Sequence, residues 1–249
     1  MRSTDSNPQP RIDAQAAHPL DNPIWNSLTT IHAHFAEAAS LARRFPSDVT
    51  ALGALMGPTE EAWSALAGLP SAAKVTVLVF DAPVDPPAGW EVLESAVGLQ
   101  MIYEDRKPPS PPPASAAFSE EIIELAAADA PEMLALAELT RPGPFGIRAR
   151  ELGTFLGIRR EGKLIAMAGE RLRLPGFTEV SAVCTHPDHT GHGHAAVLVT
   201  AAMERLCRRG EVPFLHVRER NTRAIELYLR LGFKRRRAFQ FTAVRAPAR

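Results

Sequence analysis

Thr185-His186-Pro187-Asp188-His189-Thr190-Gly191-His192-Gly193-His194-Ala195-Ala196-Val197-Leu198 reads as a turn between two regular elements. The run before it, residues 177–184, is short and strand-like, and the run after it, residues 195–209, is an alanine-rich helical stretch. Glycines at 191 and 193 lie where the backbone enters that helix, so several amide N–H groups can point into one space. The first helical amides have no partner within the helix, and the helix dipole adds positive potential there. Such a junction holds anions, and the expected one is the pyrophosphate of a bound cofactor.

The strand before this turn carries an unusual residue. Alternation places Thr178, Val180, Ala182 and Cys184 on one face and Phe177, Glu179, Ser181 and Val183 on the other. Glu179 thus interrupts a strand expected to be covered, and its carboxylate must be solvated through a cleft, paired or protonated. Two readings stand side by side: a general base, or an ion pair with Arg171 or Arg173 on the neighbouring strand.

Beyond the turn, residues 221–233 have both ends of a helix written into them. Asn221 caps the start, and Gly232 is placed for the left-handed residue after the last turn, with Phe233 folding back. Ala224, Ile225, Tyr228 and Leu231 form the apolar face, and spacing alone favours a core tyrosine at 228. His186, His189, His192 and His194 invite zinc, but their spacing matches no compact site, so no metal is expected.

Taken in order, residues 1–20 are polar, proline-broken and expected to be disordered. Asn22 and Pro23 start a helix, a second helical run is predicted over residues 32–44, and Thr59 opens a third through Trp63 and Leu66. Residues 74–80, Lys-Val-Thr-Val-Leu-Val-Phe, form a strand, and residues 90–103 hold a further extended segment. His32 and His34 read as ordinary surface or partly packed histidines. Pro108-Pro109-Ser110-Pro111-Pro112-Pro113 favours extended polyproline II, so residues 108–115 are read as a linker. It separates an N-terminal α/β domain at 21–107 from a second domain at 116–249. The second reads as a strand over 118–125, a helix from Asp129, a helical turn at 148–152 and three strands over 154–159, 163–173 and 177–185. After the glycine turn come helix 194–209, strand 214–217, helix 222–231 and two strands, 233–237 and 239–244. This is a mixed α/β sheet.

Twenty-eight basic against 28 acidic residues leave no net charge, so nothing points to nucleic acid or an anionic membrane as partner. A hydrophobic share of 45% supports a packed core. No secretory leader and no apolar run of bilayer length is read. Cys184 and Cys207 are expected as buried thiols in a reducing compartment, the cytoplasm.

The order of elements and three motifs together resemble the GNAT superfamily of acetyl-CoA-dependent N-acetyltransferases over residues 116–246, closest to the subgroup called FR47-like. The family's cofactor motif, Arg/Gln-x-x-Gly-x-Gly/Ala, is met by Thr190-Gly191-His192-Gly193-His194-Ala195, with threonine in place of the first Arg or Gln. Pro213-Phe214-Leu215-His216-Val217, followed by Asn221, Ala224, Tyr228 and Leu231-Gly232-Phe233, carries the more specific part.

The resemblance implies a mostly antiparallel sheet flanked by helices, acetyl-CoA as cosubstrate, and a primary amine that attacks it directly. It implies that Val183 and Thr185 offer backbone groups to the pantetheine arm. The loop Thr190, Gly191, His192, Gly193, His194 and Ala195 would hold the pyrophosphate, and Asn221 would meet the cofactor near its thiol end. Tyr228 becomes the proton donor to the departing thiolate, and Glu179 sits where some members keep the base. Residues 21–107 become a candidate degenerate copy of the same fold, and the expected state is a monomer or homodimer. The competing function is an acyl-CoA sensor without turnover.

Overall fold

The computed structural model describes residues 18–70, 75–105, 107, 109 and 121–247 of the 249-residue chain. The expected linker at 108–115, apart from Pro109, lies outside the described residues, as does the expected tail up to residue 17. Residues 18–20, assigned to that tail, instead belong to the fold. Leu20 is fully buried, and the His18 ring and the Asp21 carboxylate close a helical turn over Pro19–Asp21.

The N-terminal part starts with helix α1 (Pro23–Thr29), where the Asn22 side chain accepts from the Trp25 amide as its cap residue predicts. Strands β1 (Glu37–Ala38), β2 (Ala42–Arg44) and β3 (Gly53–Leu55) form a small antiparallel sheet, and Thr59 caps helix α2 (Glu60–Ala67). The helix predicted over 32–44 is therefore corrected. Only Ala33–Phe35 makes a helical turn. The Arg44 guanidinium reaches back to Glu37 at 2.7 Å across the β1–β2 pair, which an extended chain allows.

The main sheet has eight strands: β4 (Thr76–Phe80), β5 (Glu91–Ile102), β6 (Ile122–Glu124), β7 (Phe155–Arg160), β8 (Lys163–Leu174), β9 (Phe177–Thr185), β10 (Val212–Arg218) and β11 (Lys234–Arg245). Their order across the sheet is β4-β11-β5-β10-β9-β8-β7-β6, and every pair is antiparallel except β9–β10. The two strands predicted over 233–237 and 239–244 are one strand. A register shift between Arg235 and Arg237 lets β11 continue, and Arg236 turns to Gln100, Asp21 and the Leu20 carbonyl.

β4 and β5 come from the part expected to form its own domain, yet they hydrogen-bond to β10 and β11. The two parts share one sheet, since β10 and β11 need β5 between them to satisfy their backbone groups.

Helices α4 (His194–Arg208) and α5 (Thr222–Arg230) pack one face of the sheet. Their core joins Val199, Met203, Leu206, Ile225 and Tyr228 to Leu99, Met101, Val180 and Leu215. The other face is covered by helix α3 (Ala130–Thr140) through Met133 and Leu136, and by the N-terminal part through Leu20, Ile24, Leu28 and Phe45.

Candidate active site

A β-bulge makes the opening at the centre of the sheet. On β8 and β9, Met167 pairs with Cys184 and Gly169 with Ser181, so Ala182 and Val183 together oppose one residue. Ala182 takes φ +52° to do this. The alternation expected along β9 breaks there. Val180 packs under α4, while Ala182 and Cys184 join the cluster beneath α3, and Val183 moves to the α4 face. On the other side of β9, pairing with β10 ends at Phe214 opposite Glu179. Residues 180–185 of β9 therefore have no recorded pairing on the β10 side, and Val183 and Thr185 lie in that stretch.

The glycine turn follows β9 in the chain and precedes α4. Gly191 and Gly193 have φ +86° and +83°, and Gly193 is the residue before the first turn of α4. Left-handed residues alternating with their neighbours can aim successive N–H groups to one side, a backbone arrangement suited to anions. A Cβ built on Gly191 would meet no atom within 4 Å, so the space above the turn is open. The Thr190 hydroxyl donates to the Pro187 carbonyl at 3.1 Å. It closes the turn instead of reaching outward. His192 is exposed and stacks at 5.7 Å on His194, which is buried with Nδ1 3.1 Å from the His189 carbonyl. Among the described residues, no group of three or more His, Cys, Asp or Glu is arranged to hold a metal ion.

Asn221 caps α5, its Oδ1 accepting from the Ala224 amide at 3.2 Å, and the helix ends as its sequence predicts, with Gly232 at φ +90° and the Phe233 amide bonded to the Tyr228 carbonyl. Tyr228 is buried in the core that also holds Val180 and Val217, with the Phe233 ring 5.9 Å away. Burial pushes its phenol up to about 12, so the hydroxyl keeps its proton at neutral pH.

Glu179 is fully buried and paired. Arg171 donates to both carboxylate oxygens, Nε at 2.8 Å and Nη2 at 2.6 Å, and His216 Nδ1 lies 2.7 Å from Oε1. Burial alone would raise this carboxyl, but the Arg171 charge, its hydrogen bonds and His216 overcome that and hold it at about 2. Of the two readings of Glu179, the ion pair is formed, and its partner is Arg171.

His216 continues the network. Its Nε2 lies 3.0 Å from Gln100 Nε2, whose amide orientation is fixed because Arg236 donates to Gln100 Oε1 at 2.7 Å. Nε2 of His216 is then an acceptor, and Nδ1 carries the proton given to Glu179. Sequence reading missed His216 and Gln100. The available signal was a polar residue at mid-strand in an otherwise apolar run, on the same face of the sheet as Glu179.

A recess lies beside the bulge on the α3 side of the sheet. Ser181 and Ala182 form its floor, and Pro142, Pro144 and Phe145 from the segment after α3 form its wall. The N-terminal part holds that segment in place: the Gly146 amide donates to Val49 at 3.0 Å, the Arg148 amide to Asp48 at 2.8 Å, and the Thr50 hydroxyl to Pro144 at 3.3 Å. A Cβ at Gly146 would stand 2.1 Å from the Asp48 carbonyl oxygen, so only glycine allows this approach.

A family model described as FR47-like protein matches residues 155–242, the span from β7 into β11. No curated protein matches the chain. A crystal structure from Novosphingobium aromaticivorans, described as an acetyltransferase from the GNAT family, is 38% identical with a TM-score of 0.82, and the match covers 93% of this chain and 100% of that one. A GCN5-related N-acetyltransferase from Kribbella flavida, 17% identical, has a TM-score of 0.61 over 91% of this chain and 95% of its own, and shares the fold. With that likeness running through the N-terminal part as well as the bulged strand and glycine turn, the chain belongs to the GNAT family of acetyltransferases.

Proposed function

We propose that the protein moves an acetyl group from acetyl-CoA to a primary amine by direct attack, with no acyl-enzyme. The observation that carries this is the unpaired stretch of β9 beyond Glu179, followed by the open glycine turn at the start of α4. Bound acetyl-CoA supplies a thioester carbonyl. Backbone groups of Val183 and Thr185 hold its pantetheine arm as a further strand would be held, and a β9 amide polarises the carbonyl oxygen. The amides of Gly191, His192, Gly193, His194 and Ala195 take the pyrophosphate, and Thr190 shapes their turn. Asn221 sets the start of α5 near the thiol end, so that the protonated Tyr228 hydroxyl serves the leaving sulfur. Cys184 takes no part, since burial pushes its thiol up to about 11. The amine loses its proton to solvent.

Calorimetry with acetyl-CoA beside a thiol-release assay over a panel of amines tests this. Binding together with thiol release is expected, whereas binding without release would favour an acyl-CoA sensor. Tyr228→Phe is expected to lower kcat by about 10²-fold or more with acetyl-CoA affinity retained. Unchanged turnover would remove Tyr228 from the reaction.

A further inference from the structure

Five strands that are neighbours in the sheet are joined by side chains on one face. Arg171 on β8 donates to Glu179 on β9, Glu179 meets His216 on β10, His216 meets Gln100 on β5, and Gln100 accepts from Arg236 on β11. This row crosses the parallel pair β9–β10 just where its backbone pairing gives out. Pairing covers Val212–Phe214 against Phe177–Glu179, and among the described residues no hydrogen bond joins 180–185 to 215–218. The 2.7 Å bond between His216 Nδ1 and Glu179 Oε1 is therefore the last one between the two strands before β9 runs on without β10.

Both partners are held firmly. Arg171 grips the carboxylate from the β8 side with two nitrogens. The His216 side chain is 3% exposed, its ring lies 4.9 Å from that of Phe239 and 5.6 Å from that of Phe214, and its Nε2 is taken by Gln100. Because Arg171 already neutralises Glu179, His216 adds direction more than charge: its Nδ1–H ties the carboxylate, and through it β9, to β10.

We infer that His216 is a positioning residue for acetyl-CoA, which rests on the acetyl-transfer reading above. Its bond to Glu179 fixes the point at which β9 leaves β10, and with it the backbone of 180–185 that takes the pantetheine arm and the thioester carbonyl. A binding edge displaced by about 1 Å loses much of its grip.

Calorimetry with acetyl-CoA on the unaltered protein and on three variants tests this. His216→Asn keeps an amide N–H at the same number of bonds from Cα as Nδ1, so it still donates to Glu179. His216→Gln carries its amide further out, beside Gln100, and His216→Leu donates nothing. Glu179 keeps Arg171 in all three, so each is expected to fold. Acetyl-CoA affinity should fall about tenfold in His216→Leu and His216→Gln and less than about threefold in His216→Asn, with melting temperatures that do not follow this order. In the unaltered protein, the Nδ1–H resonance of His216, assigned by its proximity to the Phe239 ring, should shift when acetyl-CoA is added, and this decides if the variants do not fold. Unchanged affinity in His216→Leu, a loss in His216→Asn as large as in His216→Leu, affinities that track melting temperature, or a resonance that acetyl-CoA leaves in place would each overturn the inference. Failure of the unaltered protein to bind acetyl-CoA would instead overturn the reading on which it rests.

Discussion

His32 is enclosed between the Ser27 hydroxyl at 2.9 Å and the Leu152 carbonyl at 3.0 Å, where it joins α1 to the turn that precedes β7. Burial drives its imidazole down from 6.5 to about 4. The folded protein therefore holds it neutral while the unfolded chain protonates it, so its contribution is complete above pH 6.5 and is lost as pH falls towards 4. That difference is worth about 3 kcal/mol. Thermal melts between pH 7 and pH 4 should show this loss, and His32→Gln, less stable at pH 7, should show a shallower one. Glu179 sets a second test. Glu179→Gln leaves the Arg171 charge without its partner and is expected to cost about 3–5 kcal/mol in a denaturant titration. The pH dependence of kcat/KM should keep its shape, and a basic limb displaced to higher pH would restore Glu179 as base. Of these two residues, only Glu179 stood out in the sequence, as a charge in a covered strand. His32 did not, because nothing local marks a histidine whose partners lie on separate elements.

At the level of elements, what the sequence revealed depended on whether the signal was local. Asn22, Thr59 and Asn221 announce three helix starts and Gly232 one helix end, because capping is settled by side chains within three or four residues. The glycine turn was legible for the same reason. Gly191→Val tests its role: a Cβ there touches nothing within 4 Å, so only the strained backbone opposes it, at about 1–2 kcal/mol. Acetyl-CoA affinity measured by calorimetry should fall by more than about tenfold while the melting temperature drops only a few degrees. Equal affinity would move the pyrophosphate elsewhere. The bulge at Ala182 was not legible, since alanine carries no preference for positive φ and the strand pairing imposes it. The segment 32–44 misled because its alanines suit a helix in isolation, while cross-strand pairing and the burial of Phe45 fix it as strands.

For the whole molecule, mixed α/β class and the succession of elements from β7 to α5 along the chain were readable, and the partnership of the two parts was not. Nothing in residues 91–102 states that they lie between β10 and β11, because both neighbours are more than a hundred positions away in the chain. A chain limited to residues 121–249 would lack β4 and β5, leaving one edge of β10 and both edges of β11 unpaired. Near-UV circular dichroism of that piece is expected to show no fixed aromatic environment, and a native-like spectrum would show that the second part folds alone.

The placement of β11 also governs how the protein must fold. Among the described residues it is the last strand along the chain and yet it sits between β4 and β5, with Arg245 reaching Glu91 across 154 positions. Until it arrives, β4 and β5 wait with open edges, and Val92, Leu93 and Val97 remain exposed even in the finished fold. Such distant pairing makes closure of the sheet slow and leaves the half-made chain prone to stick to its neighbours, so refolding yield should fall steeply as protein concentration rises.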